Sequence, residues 1–250
     1  MVQSAAFFDF DRTLLHGDAG VIFGKTLARW GYDKGRDLPP AERRRYNAQV
    51  TAQIVQMVGK AAAYRSLNAV GIISRSRLVE MSYSFLEGFP ATEMSERMGT
   101  VWEDKIKARL YPEMRRVLED HRDQGHRIVI VTTGLRELVE HSRGVLGHDI
   151  EIIGAEMRQS HGVWEGKVDG PLHGVHKAEA VHEYATKNDI DLGKSWAYSD
   201  HFSDVAFLAV AGHPVAINPG LKLRLHAKRH GWQVRNVLPP HKTPLEQRDD

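Results

Sequence analysis

The sequence predicts an α/β fold in which a parallel sheet carries helices on both faces and a helical insert follows the first strand. Residues 127–134, RIVIVTTG, form a continuous β-branched run that is typical of a strand covered on both faces. From Tyr111 onward, strand and helix patterns alternate, as in a Rossmann-like sheet. Between residues 19 and 110 the apolar residues instead recur at helical spacing.

The predicted strands are short apolar or β-branched runs, at residues 5–10, 127–134, 151–170, 195–200, 213–217 and 232–237. The stretch 151–170 contains a strand and a hairpin, which turns at Ser160-His161-Gly162. Helices are predicted between the strands, at residues 113–124, 135–146, 175–187, 203–211 and 220–230. Pro112 suits the first helical turn, because proline lacks an N–H that this turn would leave unpaired.

The insert after the first strand has no convincing strand pattern. Apolar residues at spacings of three and four predict helices over 42–58 and 93–106. The first face comprises Tyr46, Val50, Ile54, Met57 and Val58, and the second comprises Met94, Met98, Val101, Trp102 and Ile106. We therefore expect three parts, which are a core of residues 1–18 and 111–238, an insert of residues 19–110, and a loose polar tail of residues 239–250.

The composition is that of an ordinary globular protein. The 250 residues include 34 Lys and Arg against 32 Asp and Glu, so we expect neither nucleic acid nor a membrane as a partner. The sequence contains no cysteine, which excludes disulfides, thiolate zinc sites and a cysteine nucleophile. No apolar run approaches about 20 residues and no secretory leader is evident, so we expect a cytoplasmic protein. Monomer and homodimer both stay open.

Polar residues follow three of the predicted strands. They are Asp9, Asp11 and Thr13 after the first strand, Thr132, Thr133 and Gly134 at the end of the second, and Asp200 and Asp204 after the strand at 195. Because the carboxyl ends of parallel strands form the ligand crevice, we expect these groups to meet at one edge, within reach of Lys177. Clustered carboxylates suit Mg²⁺, while hydroxyl, N–H and ammonium groups suit phosphoryl oxygens.

Four stretches resemble, in order, the motifs of the haloacid dehalogenase-like superfamily. They are DFDRT (9–13), VTTG (131–134), Lys177 and SDHFSD (199–204). Other stretches are similar to its phosphoserine-phosphatase-like branch, the subfamily IB-type hydrolases, namely TLLHGD (13–18), HGVWEGKVDGP (161–171) and GHPVAINPGLKLRLHAKRHGW (212–232). The resemblance covers roughly residues 5–17 and 112–237, and it implies that the insert is a helical cap.

The resemblance implies a Mg²⁺-dependent phosphatase that hydrolyses a small phosphorylated metabolite through an aspartyl-phosphate. Asp9 would attack phosphorus and carry the phosphoryl group. Asp11 would protonate the leaving alcohol and then take a proton from the attacking water.

The resemblance also implies which residues bind the phosphoryl group and the metal. Thr132 and Lys177 would stabilise charge on the transferring group, with Thr133 and Gly134 beside them in substrate binding. The implied metal ligands are Asp9, Asp200 and the main-chain carbonyl of Asp11, and Asp204 would orient these ligands from behind.

Two other functions stay open on the same fold. A phosphotransferase would pass the phosphoryl group to an acceptor alcohol instead of water, and a non-catalytic protein would only bind its ligand. Dehalogenation is disfavoured, because that chemistry does not need the acid-base group at Asp11.

Two neighbours of the key acids have uncertain roles in the sequence. His201 follows Asp200 where relatives commonly carry a small residue. It could contact the metal's waters, contact the substrate or fill space, and we favour the last. Arg12 is expected to point away from the acids, because neighbouring side chains alternate in an extended segment.

Overall fold

The computed structural model describes residues 3–34, 39–40, 42–45, 48, 51, 83–170 and 174–240. The chain forms two compact units. The first comprises Met1–Ala19, Trp102–Glu156 and Gly170–Asp250, and the second comprises Gly20–Val101 and Met157–Asp169. These bounds differ in part from the expected ones, and the first segment ends at Ala19 rather than at 18. The first unit resumes at Trp102 rather than at 111, and the far part of the hairpin belongs to the second unit.

The described strands form a seven-stranded sheet with the order β4-β3-β2-β1-β5-β6-β7. Their bounds are β1 Ala5–Phe8, β2 Arg127–Leu135, β3 Glu151–Ser160, β4 Val163–Asp169, β5 Trp196–Ser199, β6 His213–Ile217 and β7 Gln233–Arg235. The pairs β3-β2, β2-β1, β1-β5, β5-β6 and β6-β7 are parallel. Only two residues, His161 and Gly162, join β3 to β4, so this pair is a hairpin and the sheet is mostly parallel.

Strand β1 lies where the strand order reverses. From β1 the chain builds β2 and β3 on one side, and it later adds β5 on the other side. Phe8 of β1 pairs with Ile130 of β2 and with Tyr198 of β5. The residues that follow these three therefore emerge together, at the position where open α/β sheets bind their ligands.

The helices have the bounds α1 Ala19–Lys34, α2 Ala91–Val101, α3 Pro112–Asp123, α4 Arg136–Glu140, α5 Arg143–Leu146, α6 Gly174–Lys187, α7 Val205–Leu208 and α8 Leu221–His230. Shorter 3₁₀ turns occupy Ser84–Leu86, Lys107–Arg109, Leu192–Lys194 and Phe202–Asp204, and a π-helical turn occupies Trp102–Ile106. The helix predicted over 135–146 is divided into α4 and α5 by a turn at His141 and Ser142. The helix predicted over 203–211 is a 3₁₀ turn followed by the short α7.

Alternate residues of β1 face two different helical layers, as the period of two in a strand requires. Phe7 lies in a core cluster with Val181 of α6 and Phe207 of α7. Phe8 faces the other way, and its ring meets that of His121 on α3 edge to face, with centroids 6.0 Å apart. Helices therefore cover both faces, as the sequence predicts.

The predictions for the insert have different outcomes. Met94, Met98, Val101, Trp102 and Ile106 are all buried, which confirms the second apolar face. The residues of the first face, Tyr46 to Val58, lie outside the described residues, as does most of the tail. None of the helices in the described part of the chain is both long and apolar enough to cross a membrane.

Candidate active site

Asp9 directly follows β1 and is buried, with 6% of its surface exposed. Its main-chain N–H donates to the carbonyl of Tyr198 at 2.9 Å, which continues the β1-β5 ladder by one residue. In the turn that follows, the carbonyl of Phe10 accepts the N–H of Leu14 at 2.9 Å. This turn brings the Thr13 hydroxyl to within 3.3 Å of Asp9 Oδ2, to which it donates.

Lys177 lies in the first turn of α6 and is 2% exposed. Its Nζ donates to Asp9 Oδ1 at 2.5 Å and to Asp204 Oδ2 at 2.9 Å. Burial alone would lower the pKa of Lys177, but the charges of the two carboxylates outweigh it and hold the pKa above its usual value. The ammonium group therefore stays charged, and it joins the acid after β1 to the acid in the 202–204 turn.

Gly174 makes this approach of Lys177 possible. A Cβ at Gly174 would overlap the main-chain carbonyl oxygen of Ser203, so only glycine lets α6 begin this close to the 202–204 turn. The sequence analysis did not single out Gly174. The available signal was a glycine at the start of the helix that carries the lysine.

Asp204 is buried and accepts hydrogen bonds from two sides. Besides Lys177, the hydroxyl of Ser199 donates to its Oδ2 at 2.9 Å. Ser199 is the last residue of β5 and is fully buried. The sequence analysis missed Ser199, although its position at the strand end, directly before Asp200, was visible.

Thr132 and Asp11 lie beside the same small space. Thr132 is buried, and its Oγ1 accepts the N–H of Gly134 at 2.9 Å. A Cβ at Gly134 would lie 3.2 Å from Thr132 Oγ1 and 3.9 Å from Asp11 Oδ2. The other oxygen of Asp11, Oδ1, accepts the N–H of Ala19 at 2.7 Å. Thr133 follows in the same strand and is partly buried.

The pKa values of the acids are raised by burial first and by neighbouring negative charges second. Burial raises the pKa of Asp9 to about 6; Lys177 acts against this rise, and Asp204 adds to it. Burial and the charge of Asp9 raise the pKa of Asp200 to about 7, with Arg12 acting in the opposite direction. Burial likewise raises the pKa of Asp11.

Arg12 is exposed, and its positive charge opposes the rise in the pKa of Asp200. Arg12 has φ of 60°, in the left-handed region, so the side-chain alternation of an extended strand does not apply to it. Its main-chain N–H donates to the carbonyl of Gly17 at 3.0 Å, which closes the turn.

The acids fit a hard divalent cation. In the described part of the chain, no three or more His, Cys, Asp or Glu side chains converge as a metal site. The ligand set that the resemblance implies needs only two carboxylates, those of Asp9 and Asp200, with the carbonyl of Asp11. Oxygen donors of this kind suit Mg²⁺, and a cation would relieve the repulsion that raises the pKa of Asp200.

A parallel α/β sheet whose strand ends gather buried acids around one lysine is typical of enzymes that transfer phosphoryl groups. Among known protein families, the model of the haloacid dehalogenase-like hydrolases matches residues 6–209 of this chain. The chain belongs to this family.

Similar proteins have hydrolase and phosphatase names. A putative hydrolase of Mycobacterium leprae is 30% identical over 240 residues, which are 94% of this chain and 73% of the relative. Phosphoserine phosphatase SerB1 of Mycobacterium tuberculosis is 30% identical over 239 residues, 94% of this chain and 71% of the relative. The chain is accordingly an enzyme, a phosphatase of the phosphoserine-phosphatase-like type.

Solved structures share the fold. A protein of unknown function from Bordetella pertussis has a TM-score of 0.73 at 24% identity, over 94% of this chain and 98% of that one. A phospho-aspartyl intermediate analogue of phosphoserine phosphatase has a TM-score of 0.60 at 16% identity, over 99% of this chain and 97% of that one.

Proposed function

We propose that the protein is a Mg²⁺-dependent phosphomonoesterase that hydrolyses a small phosphorylated metabolite through an aspartyl-phosphate on Asp9. The observation that carries the proposal is the double contact of Lys177. Its buried Nζ lies 2.5 Å from Asp9 and 2.9 Å from Asp204. A structural ion pair needs only one acid, whereas a lysine between the acid after β1 and the acid in the 202–204 turn suits the stabilisation of an incoming dianion.

Asp9 is the nucleophile in this proposal. Lys177 fixes its Oδ1 and the Thr13 hydroxyl fixes its Oδ2, so the carboxylate has one orientation before the substrate arrives. An oxygen of Asp9 forms a bond to phosphorus, while the bond from phosphorus to the ester oxygen breaks. The two contacts reduce the freedom that Asp9 would otherwise lose on the way to the transition state.

Asp11 is the general acid and base. The N–H of Ala19 fixes Oδ1, which leaves Oδ2 on the side of Thr132. Oδ2 gives its proton to the leaving alcohol. In the second step it takes a proton from the water that attacks phosphorus, and the aspartyl-phosphate releases inorganic phosphate.

The phosphoryl oxygens would be held by the ammonium of Lys177 and the hydroxyl of Thr132, with Thr133 and Gly134 next to them. Mg²⁺ would be held by Asp9, Asp200 and the carbonyl of Asp11; when bound, it neutralises charge on the phosphoryl group. Asp204 acts on this site from behind, because its Oδ2 is occupied by Lys177 and Ser199.

The substrate is a small metabolite in this proposal, and residues 19–110 are the cap that excludes water during the reaction. The name of the mycobacterial relative, phosphoserine phosphatase, supports phosphoserine as the first compound to assay. Fold likeness alone does not define a substrate, so a panel of phosphate esters is required.

The test is release of inorganic phosphate from a panel of phosphorylated metabolites, with Mg²⁺ and with EDTA. We expect turnover of at least one ester, lost in EDTA and in Asp9→Asn. Asp123→Asn, which changes an exposed aspartate, is the matched control. Turnover that survives in Asp9→Asn would overturn the assignment of the nucleophile. Products formed with added alcohols distinguish hydrolysis from phosphotransfer.

A further inference from the structure

His201 caps the short turn that carries Asp204. Its backbone is extended, with φ of −116° and ψ of 141°, and the 3₁₀ turn Phe202–Asp204 begins directly after it. The N–H of Ser203 donates to His201 Nδ1 at 3.1 Å, and the Ser203 hydroxyl lies 2.8 Å from the same nitrogen. A side chain that accepts the N–H two residues ahead is the usual device at a helix start, where Ser, Thr, Asp or Asn normally provides the acceptor.

The capped turn connects His201 to the nucleophile through side-chain contacts. The N–H of Asp204 donates to the carbonyl of His201 at 3.0 Å, so ring and main chain of His201 together close the turn. The closed turn holds Asp204 Oδ2 against Lys177, at 2.9 Å. Lys177 in turn holds Asp9 at 2.5 Å.

The same turn is also the surface on which α6 begins. Gly174 lies so close to the carbonyl of Ser203 that a Cβ would overlap it. Opening of this turn would therefore disturb two contacts. One is the hydrogen bond between Lys177 and Asp204, and the other is the packing of the start of α6 against Ser203. Within the described residues, Asp9 and Asp204 are the two acids that form ion pairs with Lys177.

We propose that His201 is a positioning residue for the nucleophile, which acts by capping the Asp204 turn through ring Nδ1. Its catalytic consequence rests on the proposed function, whereas the cap itself does not. The sequence favoured a space-filling role for His201, whereas the contact with the Ser203 N–H supports a cap. A cap needs an acceptor atom at one position, while a filler needs only volume, so the two roles respond differently to substitution.

Three variants separate the roles. His201→Asn brings Oδ1 to the place of Nδ1 and retains the cap with less volume. His201→Leu retains volume without an acceptor, and His201→Ala lacks both. We expect kcat to fall about five- to tenfold in the Ala and Leu variants, the effect of one lost cap, and to stay within about twofold of the parent in Asn. KM should change little, because a positioned Asp9 contributes to the step after binding. His182→Ala, at an exposed histidine of α6, is the matched control.

Amide hydrogen exchange at Ser203 and Asp204 gives a readout that does not depend on turnover. Exchange should be slow in the parent and in the Asn variant, and about five- to tenfold faster in Ala and Leu, in proportion to the lost cap. If Leu behaves like the parent and Asn does not, His201 fills space and the proposal is overturned.

Two further outcomes have distinct meanings. If the exchange pattern is as expected but Asp9-dependent turnover is equal in all variants, the cap exists and the positioning role is overturned. If exchange is as expected and no ester is turned over even by the parent, the proposed function fails, and the cap stands on the exchange data alone.

Discussion

Two buried polar clusters lie beside strands β1 and β5. The basic side chain at the centre of the first cluster is charged, and the one at the centre of the second is neutral. In the first, Lys177 lies between Asp9 and Asp204. In the second, His121 Nε2 lies 2.7 Å from the Tyr198 hydroxyl and its Nδ1 lies 2.8 Å from His126 Nδ1. Lys177 and His121 are both almost fully buried.

The difference between the clusters arises from their neighbours. Desolvation lowers the pKa of both cations, but two carboxylates reverse this for Lys177. His121 has no acid among the groups that shift it, and burial, His126 and Arg235 lower its pKa to about 4. A buried charge therefore persists here only where opposite charges surround it, and that combination occurs at the strand ends where chemistry is proposed.

The largest expected effect comes from removing the charge of Lys177. Lys177→Met leaves Asp9 and Asp204 buried without their cation, so we expect a loss of about 3–5 kcal/mol in the free energy of unfolding. Activity should fall by about 10²-fold or more, since the charge that stabilises the phosphoryl group is lost. Urea denaturation and steady-state kinetics measure the two effects.

Two variants sharpen this test. Lys187→Met, at an exposed lysine of the same helix, should change stability by less than about 0.5 kcal/mol. Adding Asp204→Asn to Lys177→Met removes one of the two unpaired buried carboxylates, so part of the lost stability should be recovered. Activity should not be recovered, because the charge of Lys177 is still absent. If Lys177→Met is as stable as Lys187→Met, the ion pairs of Lys177 with Asp9 and Asp204 do not stabilise the fold, and this prediction is wrong.

A smaller effect is expected at Gly174, which changes no charge. Gly174→Ala overlaps the carbonyl of Ser203, so α6 must shift, and we expect a loss of about 1–3 kcal/mol together with reduced activity. Gly144→Ala is the control, because a Cβ there meets no atom within 4 Å. Equal thermal stability of the two variants would contradict the close packing of α6 on the 202–204 turn.

Per pH unit, the smallest effect is a pH dependence that belongs to the neutral cluster. Between pH 6.5 and about 4 the unfolded chain protonates His121 while the folded chain does not, so the contribution of His121 to stability falls as the pH falls, whereas the raised pKa values of Asp9 and Asp200 contribute in the opposite direction. Each pH unit in this window removes up to about 1.4 kcal/mol. His121→Gln retains hydrogen-bonding groups without a titrating ring, so the stability of the parent relative to this variant should fall from pH 7 to pH 4. His182→Gln should follow the parent, and a parallel profile for His121→Gln would contradict a neutral buried His121.

The sequence predicted which residues share one edge of the sheet, but it did not predict which of them contact each other there. Asp9 and Asp200 follow strands whose apolar patterns are clear, and Thr132 lies in the last part of another, so their common edge follows from parallel pairing. The partner of Lys177 was not predictable in the same way. Asp204 was expected to orient the metal ligands, and the sequence did not indicate that its Oδ2 would accept hydrogen bonds from Lys177 and Ser199. Which acid a lysine meets depends on how closely its helix packs.

Local backbone geometry explains the other differences. The role of Arg12 was predicted from strand alternation, but the chain leaves the extended conformation at that residue. The cap at His201 depends on a ring nitrogen in place of the usual Ser or Asn oxygen, and propensity rules do not anticipate this. The helix over 135–146 is divided at a turn that its apolar spacing does not reveal.

The most direct test of the account is to find the covalent intermediate. A phosphate ester that the protein hydrolyses is mixed with excess enzyme, and the reaction is stopped with acid after a fraction of a turnover. The protein is then digested, and its peptides are analysed by mass spectrometry. We predict a phosphoryl group on Asp9, removable by hydroxylamine as an acyl phosphate is, and absent from Asp9→Asn. A phosphoryl group on another residue, or rapid turnover with none on the enzyme at any time, would contradict the assignment of Asp9.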